Sequence, residues 1–276
     1  MADAKFPDLD PAAFDTTRRA LHAYSKVAGA WAKATRKKRK HWWHASLRPS
    51  LYGMTTGVIY GDTDFEIELN LAQSCVEVRT CSSMHREQLS GQSSAELAET
   101  IRNTLFASGV DRGLTPPDDV ESDNKHPDYS PRQASLMHQA IGSIASALED
   151  FRSGIREEKS PIQIWPHHFD VSMIWLPGTK VPGQDPANEE YADKQMNFGF
   201  VFGDEGIPEP YFYVTAYPLP DEMTAVELPK GTSWQSEGFS GAVVLYRDVV
   251  KHADPAAYLM DLWTRLIENG RTHMCA

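Results

Sequence analysis

Residues 65–80 read FEIELNLAQSCVEVRT, and this stretch decides the fold class. Phe65, Ile67, Leu69 and Leu71 alternate with Glu66, Glu68 and Asn70, the period-two pattern of a strand with one apolar face. Ala72–Ser74 then supplies a turn, and CVEVRT (75–80) returns as an antiparallel partner. Upstream, His41–Leu47 and Leu51–Tyr60 read as two further strands. Strands joined by turns rather than by helices predict antiparallel sheets.

Helical patterns flank this block. Leu21, Tyr24, Ala28 and Trp31 recur at i, i+3, i+7 and i+10, which predicts a helix over 15–33 capped by Asp15 or Thr16. A second helix begins at Ser93 or Ser94 and runs to about Ser108, with Leu97, Ile101, Leu105 and Phe106 on one face. Residues 114–131 carry four prolines among many acidic side chains and read as a linker or long loop. Beyond it the order recurs. A helix is expected over 132–151, strands at 162–176, 196–202, 211–217 and 239–246, and a last helix over 255–268. The expectation is an α+β protein with two similar helix–four-strand–helix halves, 1–113 and 132–276, separated by 114–131.

Composition bounds the function. The chain has 276 residues, a formal charge of −11 and 41% hydrophobic residues, a globular composition with no apolar run of membrane-spanning length. Residues 1–128 carry a net of −2 and residues 129–276 a net of −9. The three cysteines, Cys75, Cys81 and Cys275, form no disulfide framework, and the N-terminus lacks a signal-peptide core. Cytoplasmic localisation and no membrane partner are therefore expected. One basic run, RKKRK (36–40), precedes the aromatic HWWH. Lysine and arginine on phosphates with tryptophan on bases is a nucleic-acid pattern, but the acidic whole argues against a polyanion partner.

No phosphate loop, dinucleotide fingerprint, HExxH or GxSxG occurs. Histidines mark the openings of two expected strands, HWWH (41–44) and WPHH (165–168). In a strand His168 and Asp170 share a face, so His44, His168 and Asp170 form one conceivable ligand set for a divalent metal, zinc or non-haem iron. The alternative reading has these histidines hydrogen-bonded at an aromatic core edge. His22 falls nearly opposite the apolar stripe of its helix and is expected to face solvent.

A second candidate lies in GDEGIPEPYFYVTAYP (203–218). Tyr211, Tyr213, Thr215 and Tyr217 share one strand face and offer an apolar wall with hydroxyl tips, suited to a small organic ligand. Glu209 precedes them as a conceivable acid or base. Trp43 and Trp165 add aromatic surface from the histidine tags. The plain reading is an ordinary aromatic sheet face. A third expectation, a non-catalytic interaction protein that dimerises through open sheet edges, stays beside these.

The segments LHAYSKVAG, HWWH, FEIEL, SPIQIWPHHFD, MNFGFVFGD, PEPYFYVTAYP and FSGAVVLY together resemble a bacterial family catalogued only as a domain of unknown function. The resemblance spans about 16–263 and implies a soluble bacterial protein, with no activity, cofactor or catalytic residue to transfer.

Overall fold

The structure is a computed structural model that describes residues 6–114, 125–188 and 190–275. Most of the expected 114–131 linker therefore lies outside the described residues. The chain divides into two compact units. The first holds Leu9–Gly142 and Ile164–Phe169; the second holds Met1–Asp8, Ser143–Gln163 and Asp170–Ala276.

The first unit opens with helix α1 (Pro11–Thr35). Its start precedes the expected one by a turn, because Asp10 caps it by accepting from Ala12 N and Pro11 occupies the first helical position. Asp15 instead pairs with Arg18 and Arg19 along the helix surface. Leu21, Tyr24, Ala28 and Trp31 are all buried, as the spacing requires. The sheet follows as β1 (Arg48–Pro49), β2 (Gly53–Thr55), β3 (Phe65–Asn70), β4 (Cys75–Thr80) and β5 (Met84–Gln88), each antiparallel to the next. Helix α2 (Ser94–Ala107) begins in a capping box between Ser93 and Glu96. Phe65, Ile67, Val76 and Val78 are buried, as are Leu97, Ile101 and Leu105 of α2.

The opposite sheet face is polar yet also buried. Glu68 and Glu77 hold Arg79 between them, and Arg86 closes on Glu77 Oε1 at 2.6 Å. Paired in this way, the two carboxylates tolerate burial that would be costly for either alone. The arginines and Asn70 hold Glu77 below the usual carboxylate range against the opposing effect of its desolvation.

Helix α3 (Pro131–Ser153) passes from the first unit into the second. After β6 (Glu158–Lys159) and β7 (Gln163–Trp165) come β8 (Asp170–Leu176), β9 (Gln195–Val201), β10 (Tyr211–Tyr217), β11 (Ser233–Gln235) and β12 (Gly241–Leu245). The larger sheet runs β11-β12-β10-β9-β8-β6, antiparallel throughout. The chain ends in α4 (Tyr246–Val249) and α5 (Pro255–Met274), the latter capped by Asp254. One sheet face forms an aromatic core. Phe198 meets Phe151 with ring centroids 4.9 Å apart, Phe200 meets Phe212 at 5.1 Å, and Trp263 of α5 meets Phe151 at 5.4 Å. Gly270 lets α5 approach this sheet, since a Cβ there would collide with Met196 Sδ.

Three expected strands change, and the one over 51–60 shortens to β2 (Gly53–Thr55). HWWH is a 3-10 turn (Lys40–Ala45), not a strand, with His41 and Trp42 both in the left-handed region. The expected strand over 162–176 breaks into β7 and β8 around a turn at 166–169, where Phe169 takes φ 56° and donates its N–H to Trp165 O at 2.7 Å. A turn has no period of two, so the shared face of His168 and Asp170 disappears with it.

Candidate functional site

On β10 the alternation seen in the sequence is kept: Phe212 and Val214 point into the aromatic core, and Tyr211, Tyr213, Thr215 and Tyr217 lie on the other face. Register places Tyr213 beside Gly199 on β9, and Gly199 beside Ser172 on β8. Gly199 has no side chain to obstruct the ring. A Cβ there would fall 2.5 Å from both Cζ and the hydroxyl oxygen of Tyr213. The Tyr213 ring therefore lies across β9 and reaches two strands away, where its hydroxyl donates to Asp170 Oδ2 at 2.5 Å. Burial, followed by the neighbouring Asp170 carboxylate, raises the Tyr213 phenol well above its ordinary value, so it stays a neutral donor.

Tyr211 makes the parallel contact one row away, donating to Asp204 Oδ2 at 2.6 Å. Asp204 Oδ1 accepts from Gly206 N and Ile207 N, each at 2.8 Å, which closes the loop before β10. Burial is again the first cause that lifts the Tyr211 phenol, and the bond to Asp204 the second. Over both rings sits Phe239, stacked on Tyr211 at 6.4 Å and edge-on to Tyr213 at 6.5 Å. Val201, Val243, Ile207 and Leu245 complete the apolar surround. Phe239 rides on an exposed loop whose Gly238 has φ 81° and open space about its Cα.

Of the sequence-derived ligand residues, Tyr211 and Tyr213 thus meet on one surface. Asp170, expected as a metal ligand, joins them as the acceptor for Tyr213. Tyr217 lies farther along the strand against Tyr191, with centroids 5.0 Å apart, and its hydroxyl accepts from Gln184 Nε2 at 3.3 Å. Glu209 pairs with Arg247 at the surface. Trp43 and Trp165 belong to the first unit. Sequence reasoning missed Ser172, Gly199 and Phe239. The glycine inside MNFGFVF is the signal that was available, since a strand glycine often marks a close approach.

The histidines divide. His44 is buried, stacks on Trp42 at 5.7 Å, and its Nδ1 accepts from Arg39 N at 3.2 Å. His168 is exposed in the 166–169 turn. His44 and His168 belong to the first unit and Asp170 to the second. Among the described residues no group of three or more His, Cys, Asp and Glu side chains is arranged to hold a metal ion. His22, expected in solvent, is half-buried: Nε2 donates to the carbonyls of Pro166 (2.9 Å) and His167 (3.1 Å), and the ring stacks on Phe169 at 5.4 Å. The 166–169 turn docks on that side of α1, which a single-helix wheel cannot foresee. Among the described residues no helix is long and apolar enough to cross a membrane.

A family model described as a family of unknown function (DUF5996) matches residues 6–272. No curated protein and no solved structure matches the chain.

Proposed function

The chain belongs to DUF5996, a family of unknown function, and we propose that it binds a small organic molecule on the Tyr211/Tyr213 face of its larger sheet. The observation that carries this reading is the Tyr213 ring laid over Gly199 onto Asp170. It sets a buried polar point within an aromatic surface, the composition of ligand sites that combine apolar area with a few fixed polar anchors. In this reading Phe239 occupies the ligand's place in the free protein and swings away about Gly238 when the ligand enters. The ligand packs on the rings of Tyr211 and Tyr213 and makes one polar contact at the Asp170–Ser172 edge.

Thermal-shift screening of the whole chain against small aromatic and hydroxylic molecules tests the proposal, because a ligand that binds only the folded state raises the midpoint. The expected hit stabilises the Phe239→Ala protein more than the parent and has no effect on Tyr213→Ala. A hit that stabilises Tyr213→Ala as strongly as the parent places the ligand elsewhere and overturns the assignment.

A further inference from the structure

We propose that the HWWH turn and the basic run before it form a binding site for single-stranded nucleic acid. The site lies wholly in the first unit and is independent of the tyrosine face. Lys33, Lys37, Lys38, Arg39 and Lys40 are all exposed. Arg36 (φ −86°, ψ 148°) and Arg39 (φ −128°, ψ 152°), which bracket the segment between α1 and the HWWH turn, have extended backbone. Five exposed cations thus fall within residues 33–40, Lys33 and Lys38 over the same Trp42 ring, and a polyanion that presents several phosphates matches them better than a single phosphate does. Arg36 fixes the segment to the fold, its guanidinium donating to Ser46 O at 3.3 Å and to Thr56 O. Among the described residues no ion pair engages Lys33, Lys37, Arg39 or Arg48.

Aromatic surface lies directly beneath the charges. The ammonium groups of Lys33 and Lys38 stand 5.7 and 5.5 Å from the Trp42 ring centroid, and that of Lys40 stands 5.8 Å from Trp43. These contacts hold like charges together against their mutual repulsion. Trp42 and Trp43 are only partly buried, and among the described residues no acceptor meets either of their buried indole N–H groups. Left-handed backbone at a bulky residue such as Trp42 is a rare conformation, and here it turns the two indoles under the basic segment. Interleaved cations and partly exposed aromatic rings are the arrangement by which proteins take up single strands, with phosphates on the cations and bases on the rings. The acidic whole-chain charge, which argues against a polyanion partner at the level of composition, sets a weak, salt-sensitive affinity rather than removing a local site.

Fluorescence anisotropy of a labelled 12-nucleotide deoxythymidylate strand titrated with the whole chain at low salt is the test. Binding is expected to weaken with salt at a log–log slope of about −2, the value for the three cations Lys33, Lys37 and Arg39 on single-stranded phosphates. Lys37→Glu/Lys38→Glu/Arg39→Glu, three exposed changes, is expected to weaken binding more than tenfold while circular dichroism stays unchanged. Trp42→Leu is expected to weaken the oligonucleotide about tenfold and leave polyglutamate binding unaltered. No saturable binding at low salt overturns the proposal. So does competition by polyglutamate or anionic phospholipid vesicles as effective as that of unlabelled strand, which would make the patch a general polyanion or lipid surface.

Discussion

The Tyr213 hydroxyl and the Asp170 carboxylate meet at 2.5 Å across an intervening strand, and Gly199 is the residue that lets them meet. Neither residue reaches the other in a sheet with a side chain at position 199. Tyr213→Phe leaves Asp170 Oδ2 buried without this donor. The expected loss of stability is at least about 1–3 kcal/mol, the range for a buried acceptor deprived of its donor. Urea unfolding followed by circular dichroism measures it, and an unchanged midpoint would show the bond to be worth nothing net.

Gly199→Ala pushes a methyl group into the Tyr213 ring. A loss of about 1–3 kcal/mol is expected from the displaced side chain. The informative variant is the double change with Tyr213→Ala, in which the added methyl has room. Its loss of stability is expected to fall short of the sum of the two single losses by at least about 0.5 kcal/mol, roughly the coupling of residues in contact. Strict additivity would mean that the ring does not lie over β9.

Glu157 and Arg271 form a two-pronged ion pair at 2.7 and 2.9 Å, and the guanidinium holds the Glu157 carboxyl down at about 2. A carboxyl whose folded value is depressed contributes stability above its unfolded value near 4.5 and loses it as pH falls toward 2. Arg271→Ala is therefore expected to lower the thermal midpoint at pH 7 and to flatten its dependence on pH between 4.5 and 2. An equal loss at pH 7 and at pH 2 would contradict this linkage.

His22 is held as a neutral donor. Burial, ahead of the nearby Lys26 charge, lowers its imidazole below the ordinary 6.5. A histidine lowered in the folded state contributes stability above 6.5 and loses it as pH falls through the folded value, because the unfolded chain binds the proton first. NMR titration of the His22 ring is expected to give a midpoint below 6.5. A midpoint above 6.5 would mean that the turn at 166–169 does not bury it.

Much of this fold was legible because apolar periodicity reports burial. The β3–β4 hairpin follows from the alternation over 65–80, and the buried stripe of α1 from its helical spacing. β5 was not legible, since all five of its residues are exposed and carry no apolar alternation. HWWH misled because aromatic residues favour strands, whereas here His41 and Trp42 adopt left-handed backbone that no local propensity announces. The tyrosine face was readable from β10 alone. Its pairing with Asp170 was not, because that contact depends on the lateral order β10-β9-β8 and on a glycine in the middle strand. The family match extends over residues 6–272 without adding a chemical role for any of these side chains.

The claim that a small molecule binds at Tyr213 is tested most directly by NMR of the whole chain with ¹³C-labelled tyrosine and phenylalanine rings, assigned with Tyr213→Phe and Phe239→Leu. A molecule that stabilises the protein is predicted to shift the Tyr211, Tyr213 and Phe239 ring signals together and saturably, with Phe239 moving most. Saturable binding that leaves those three rings unmoved would contradict the account.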